Sequence, residues 1–294
     1  MPHCGASSGR RPCDRGRPCG TGCRTRRETV ALLSRRLRAV GTIDSRLASL
    51  FTPARQRGRE ILDDPGENPA LALRSLRDVA LANRFFGGRR AVLAEVQRVV
   101  RAVPSKHGTA GASQVAITLL DIGTGLGDIP RAAQRLAARR AIPMTTIGVE
   151  LVPALARAAG TACTYALAAD AMALPFPDAS IDIVTCSQVL HHFDGAEAER
   201  LLQECTRVAR TAVIIGDLRR SWFAVAGLWV ASFLLGFHPV SRHDGIVSIL
   251  RGFTRSELQR LVKHATGCQA HAHRALGFRV VAVWSPSQRG IART

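Results

Sequence analysis

The spacing of apolar positions changes along this chain, and each change marks an element. Residues 1–27 show no apolar periodicity, only Arg, Gly, Pro and Cys, and read as a disordered tail. Leu32, Leu33, Leu37 and Val40 fall at helical spacing and predict a helix within 28–60. Pro65 stops any helix there. From Pro69 to Val103 the helical spacing returns, through Leu73, Leu76, Leu81, Val92, Val96 and Val100, and Gly87-Gly88 divides it into two helices. Residues 104–113 have linker composition. Beyond Val115 the pattern becomes one of short apolar runs separated by amphipathic helices. The runs are Ala116–Ile122, Thr145–Glu150, Thr164–Ala168, Ile181–Ser187, Thr211–Asp217 and Phe278–Trp284. The helices lie near 127–140, 153–160, 195–209 and 254–266. Such alternation predicts an α/β fold with a mostly parallel sheet covered on both faces. Cys268–Leu276 reads as an antiparallel neighbour of the last strand.

One stretch departs from both periods. Residues 222–237 carry no charge and hold two of the three tryptophans. A membrane-spanning helix needs about 20 apolar residues, so this stretch is too short to span. A core helix against the sheet is the preferred reading. A greasy substrate wall or a membrane-surface contact is the sharper one. The predicted organisation is a basic tail at 1–45, an N-terminal helical cap at 46–110, and a main domain at 111–294 with an apolar helical insertion at 220–245.

Charge changes this picture little. The chain has 294 residues and a net charge of +19, nearly all arginine, since Lys106 and Lys263 are its only lysines. Residues 1–60 concentrate the excess, with 14 arginines against Asp14, Glu28, Asp44 and Glu60. Nucleic-acid binding would produce such a bias, and so would a GC-rich genome. Of the eight cysteines, Cys4, Cys13, Cys19 and Cys23 lack the paired spacing of a zinc site, and no metal is expected. The other four are scattered singly, as in a reducing compartment, and no apolar signal segment follows the basic start. A cytoplasmic location is expected, with membrane-surface association through 222–237 as the alternative.

The chemistry centres on Asp121-Ile122-Gly123-Thr124-Gly125-Leu126-Gly127-Asp128, where an apolar run meets a glycine turn and then a helix. Glycines let a ligand approach main-chain N–H groups. A dinucleotide fingerprint requires a third glycine where Asp128 stands. The observed D-x-G-x-G-x-G has acids on both sides, which suits a cationic ligand better than a pyrophosphate.

This stretch resembles motif I of the class I S-adenosylmethionine (SAM) methyltransferases, and further motifs follow in register. Glu150 stands where that family places an acid for the ribose hydroxyls. Asp170, in Ala168-Ala169-Asp170-Ala171-Met172, stands where an acid meets the adenine amino group. Leu174-Pro175-Phe176-Pro177-Asp178 through Val184 resembles the run into the fourth strand, and Cys186-Ser187-Gln188-Val189-Leu190-His191-His192 the segment at the methionine end. The similarity is greatest to ubiquinone- and menaquinone-biosynthesis methyltransferases and their small-molecule relatives. It implies a Rossmann-like, doubly wound, seven-stranded sheet, SAM as cofactor, and a cofactor site at Asp121, Gly123, Thr124, Gly125, Gly127, Glu150, Leu151, Asp170, Ala171 and Ser187. Taken singly, each acid is as readily a helix cap or loop residue.

Methyl transfer needs alignment and, for a weakly acidic nucleophile, a base. The candidates are His192, His243 and Asp217, with His191, His238 and Asp244 nearby; a lone histidine is more often a hydrogen-bonded structural residue. Arg84, Phe85 and Phe86 are candidates to cover the cofactor, although such residues are more often plain core. After the fourth strand the sequence is Ser187-Gln188-Val189-Leu190, without the Pro-Pro-aromatic turn of amino-directed nucleic-acid methyltransferases, so nucleic acid is disfavoured as substrate. The expected reaction is methyl transfer to O or C of a small, apolar, hydroxylated or quinone-like acceptor. An RNA methyltransferase and an NAD-dependent oxidoreductase are the alternatives.

Overall fold

The computed structural model describes residues 51–63, 69–103 and 116–287. The expected tail at 1–45 and the helix through Leu32 and Val40 lie outside them. Within residues 53–60 the chain is not helical, so the helix expected across 28–60 does not reach its end; a short 3-10 turn follows at Ile61–Asp63.

Two helices, α1 (Pro69–Phe85) and α2 (Gly88–Ala102), precede the sheet. The order continues β1 (Ile117–Ile122), α3 (Asp128–Ala138), β2 (Met144–Glu150), α4 (Pro153–Ala159), β3 (Tyr165–Ala168) and β4 (Ile181–Ser187). Then come α5 (Ala196–Val208), β5 (Ala209–Leu218), α6 (Trp222–Leu234), α7 (Pro239–Arg251), α8 (Arg255–Thr266), β6 (His271–Ala275) and β7 (Arg279–Trp284). The seven strands are ordered β3-β2-β1-β4-β5-β7-β6, and β7 alone runs antiparallel to its neighbours. This is the doubly wound architecture expected from the alternating pattern.

Side-chain alternation sorts the strands between two cores. Leu120, Ile122, Val213, Ile215, Val280 and Ala282 face one, closed by Leu201 and Leu202 of α5 and Leu258 and Val262 of α8. Ile117, Leu119, Ile214 and Val281 face the other, closed by Val92, Val96 and Val100 of α2 and Ala133 and Ala137 of α3. Helix α2 therefore shares its core with the sheet. Helices α1 and α2 and the sheet belong to one compact unit, which begins at Phe51.

The apolar stretch is α6, and its orientation corrects the preferred core reading. Its buried residues are Ala224 and Ser232, while Trp222, Phe223, Trp229, Val230, Phe233 and Leu234 are exposed. All faces of the segment are apolar, so the pattern carried no information about which face packs. A further helix, α7, runs through Arg242, His243 and Asp244. His238 caps it by accepting from Val240 N, and Pro239 fills its first turn.

Candidate active site

The strands β1, β2, β4 and β5 end on one edge, where open α/β sheets bind ligands. Two clusters occupy that edge.

The first is the glycine turn after β1. Gly123 and Gly127 sit at φ +63 and +68, and an added Cβ would lie 2.3 Å from Val189 Cγ2 and 2.6 Å from Ala162 Cβ respectively. Asp121 is buried beneath the turn and accepts from Thr124 Oγ1 at 2.9 Å and Thr185 Oγ1 at 2.6 Å. Burial raises its carboxyl to about 7, against the lowering effect of those two hydroxyls. Both of its oxygens are engaged in bracing the turn from below, a role distinct from direct ligand contact. Glu150, at the end of β2, accepts from Gly125 N, and burial raises its pKa too. Asp170 accepts from Met172 N at 2.8 Å in the turn beyond β3, next to Ala171. Leu151 is exposed, and Ser187 closes β4 opposite Gly216. Leu76 of α1 would be 3.6 Å from a Cβ on Gly125, so α1 lies over the turn. Open backbone positions with flanking carboxylates fit the polar groups of SAM: hydroxyls, an amino group and a sulfonium.

The second cluster surrounds the 3-10 turn Leu190–His192 that follows β4. His191 is buried and gives Nδ1 to Asp217 Oδ1 at 2.7 Å, while its own backbone N donates to Asp217 Oδ2 at 3.0 Å. Asp217 Oδ1 also accepts from Leu218 N at 2.7 Å. The His191 Nε2 faces Glu60 Oε1 at 3.6 Å. Burial opposes charge on His191, but Asp217 and Glu60 outweigh it and lift the imidazole to about 9. His191 is therefore an imidazolium at neutral pH. Asp217, held below its ordinary value despite burial, is its fixed counter-ion, with each carboxylate oxygen already accepting a hydrogen bond.

His192 is the accessible member, 29% exposed at its side chain, with Nδ1 2.7 Å from Asp63 Oδ1. Asp63 also accepts from Arg251 Nη1 at 2.6 Å, and Arg251 Nη2 donates to His192 O at 2.7 Å. His192 and Arg251 pull the Asp63 carboxyl down against its burial. Glu60 is lowered against burial in the same way, chiefly by His191. Glu60, His191 and His192 bring potential ligand atoms within 4.8 Å of one another, but a charged His191 has no lone pair for a metal ion, and Arg251 already places a cation 3.4 Å from Glu60.

Of the three predicted bases, the edge brings His192 and Asp217 together through His191. His243 lies apart on α7, half exposed, bonded through Nδ1 to Asp244 Oδ1 at 2.8 Å. The adjacent pair does interact, but Asp244 serves the fold, accepting from Ile61 N at 2.9 Å and Leu62 N at 3.1 Å. Sequence reading missed Glu60, Asp63 and Arg251. Glu60-Ile-Leu-Asp63 looked only like the approach to Pro65, and its partners lie more than a hundred residues away.

Residues 120–215 match the model of the methyltransferase domain family. A ubiquinone biosynthesis O-methyltransferase from Cupriavidus pinatubonensis is 29% identical over 155 residues, 50% of this chain and 58% of the relative. The match thus spans somewhat over half of that relative's length. A solved structure from Nostoc punctiforme, described as an O-methyltransferase, superposes with a TM-score of 0.50 at 16% identity, covering 84% of this chain and 67% of its own. A SAM-dependent methyltransferase from Aquifex aeolicus gives 0.46 at 14% identity, covering 70% and 96%. Residues 120–215 are thus similar to the methyltransferase domain family.

Proposed function

We propose that this protein transfers the methyl group of SAM to an oxygen or carbon of a small, apolar, hydroxylated or quinone-like acceptor. SAM, held by the turn Gly123–Gly127 with Glu150 and Asp170, supplies a methyl group already activated on a sulfonium. The chain's own contribution is alignment and proton removal. The observation that carries this reading is His192: a partly exposed imidazole just after β4, oriented through Nδ1 by Asp63. That arrangement leaves its other nitrogen for an acceptor hydroxyl. His191 and Asp217 position the turn that presents it. The relative from Cupriavidus pinatubonensis, named as an O-methyltransferase, supports oxygen as the acceptor atom.

The exposed apolar face of α6 supports a lipophilic acceptor collected at a membrane surface. No helix among the described residues is long and apolar enough to cross a membrane. An RNA acceptor would draw on the arginine-rich residues 1–60, and no feature of the edge favours it. The oxidoreductase alternative has no third glycine, since Asp128 begins α3.

The test is methyl transfer from labelled SAM to a panel of catechols and hydroquinones. His192→Ala is expected to lower turnover by about 10²-fold or more with affinity for S-adenosylhomocysteine (SAH) unchanged. Unchanged turnover would remove His192 from its role.

A further inference from the structure

Arg279 opens β7 at the same strand edge and is 5% exposed. Among the described residues no carboxylate pairs with it directly. Its Nε and Nη1 are buried without a hydrogen bond, and Nη2 reaches only the amide oxygen of Asn83, at 3.3 Å. The carboxylate that acts on it from a distance, Asp217, has both oxygens committed to His191 and Leu218. Burial accordingly lowers the guanidinium pKa to about 10. Leaving a buried cation uncompensated is costly, and native structures seldom do so without a purpose.

The surroundings add to that cost. Gly88, the first residue of α2, sits so close that a Cβ there would lie 3.1 Å from Arg279 Nε. The N-cap Gly87 offers no side chain to that helix end. The N-terminus of a 15-residue helix thus lies against a buried cation. On the other side Gln188 donates its amide to Asn83 Oδ1. Gln188 has φ +57, a conformation that side-chain-bearing residues rarely adopt.

We propose that Arg279 and the N-terminus of α2 form an anion subsite that receives a carboxylate of the methyl acceptor. The proposal rests on the methyltransferase reading and refines its substrate class to an apolar ring bearing one acidic group. Position favours the acceptor over the cofactor as the source. The glycine turn lies beyond β4 on the β1–β2 side, whereas Arg279 lies on the β5–β7 side, near the His191–Asp217 pair. The carboxylate would turn two opposed costs, a bare cation and a bare helix end, into charge-assisted hydrogen bonds.

Calorimetry on the full chain saturated with SAH, using benzoate and its neutral counterpart benzamide as probes, tests this. Benzoate is expected to bind about tenfold or more tightly than benzamide, from charge-assisted bonding. Arg279→Gln should erase that preference. Asn83→Asp should erase it too, because it places an internal carboxylate against Arg279, and this variant decides the matter if Arg279→Gln does not fold. Both variants should retain SAH affinity. Equal binding of the two probes, or a benzoate preference that survives Asn83→Asp, would overturn the proposal. So would a tenfold loss of SAH affinity in a folded Arg279→Gln, which would identify the carboxylate as the cofactor's. If the unaltered chain bound no SAH, the methyltransferase reading itself would fail.

Discussion

The two halves of the strand edge are built by different means. On the β1–β2 side the structure relies on backbone: three glycines at positive φ, a short turn, and acids that come from strand ends close by in the chain. On the β4–β5 side it relies on side chains joined across great sequence distances. His191 meets Asp217 26 residues on, and Arg251 meets Asp63 188 residues back. A cofactor common to many enzymes can be held by a compact local device. An acceptor pocket particular to one enzyme has to be assembled from whatever the rest of the chain brings to the edge.

The comparison predicts that damage to the side-chain half falls mainly on stability and turnover, and damage to the backbone half on cofactor affinity. The largest effect belongs to Asp217→Asn. Asp217 and His191 are 0% and 2% exposed at their side chains, and removing one partner of such a buried pair costs about 3–5 kcal/mol. Urea denaturation should show that loss; a change below about 1 kcal/mol would mean that the pair is not held as a charged unit.

Gly123→Ala comes next. A left-handed backbone costs a non-glycine residue about 1–2 kcal/mol, and the new methyl would meet Val189 at 2.3 Å. SAH affinity should fall by about tenfold or more, as 1.4 kcal/mol is one decade. An unaltered SAH isotherm would show that the turn does not cradle the cofactor.

A pH series separates the halves further. The His191 imidazole is raised from 6.5 to about 9, so its contribution to stability is complete below about pH 6.5 and lost as pH rises through about 9. Unfolding free energy should therefore decline across that window in the native protein. The decline should be much shallower in Asp217→Asn, because the chief source of the shift has gone. Equal slopes would contradict the assignment.

The smallest effect on stability is expected on α6. Val230 and Leu234 are 53% and 81% exposed, so replacing both with serine should change stability by no more than about 0.5 kcal/mol each. If α6 meets a membrane, the same pair should reduce sedimentation with liposomes of anionic and zwitterionic lipid. Undiminished sedimentation, or none by the native chain, would remove the membrane from the account.

What could be read beforehand follows the same division. The alternating apolar runs imply the parallel sheet, because a strand buried on both faces leaves a near-continuous apolar signature. The glycine turn is legible because its residues are contiguous and their spacing has a steric cause. Glu60, Asp63 and Arg251 gave no such signal: each is an ordinary charged residue until folding juxtaposes it with the 190–192 turn. Helix α6 was legible as a helix but not in orientation, since an amphipathic contrast is what reveals a buried face. Asp121 stands beside the turn in the sequence itself, yet its engagement by Thr185 depends on β4, 64 residues later.

The measurement that bears most directly on the division is SAH calorimetry across three forms of the full-length chain. The account predicts a single site in the native protein, the same affinity in His192→Ala, and an affinity lower by about tenfold or more in Gly123→Ala. No heat of binding in the native protein, or a loss in His192→Ala as large as that in Gly123→Ala, would contradict it.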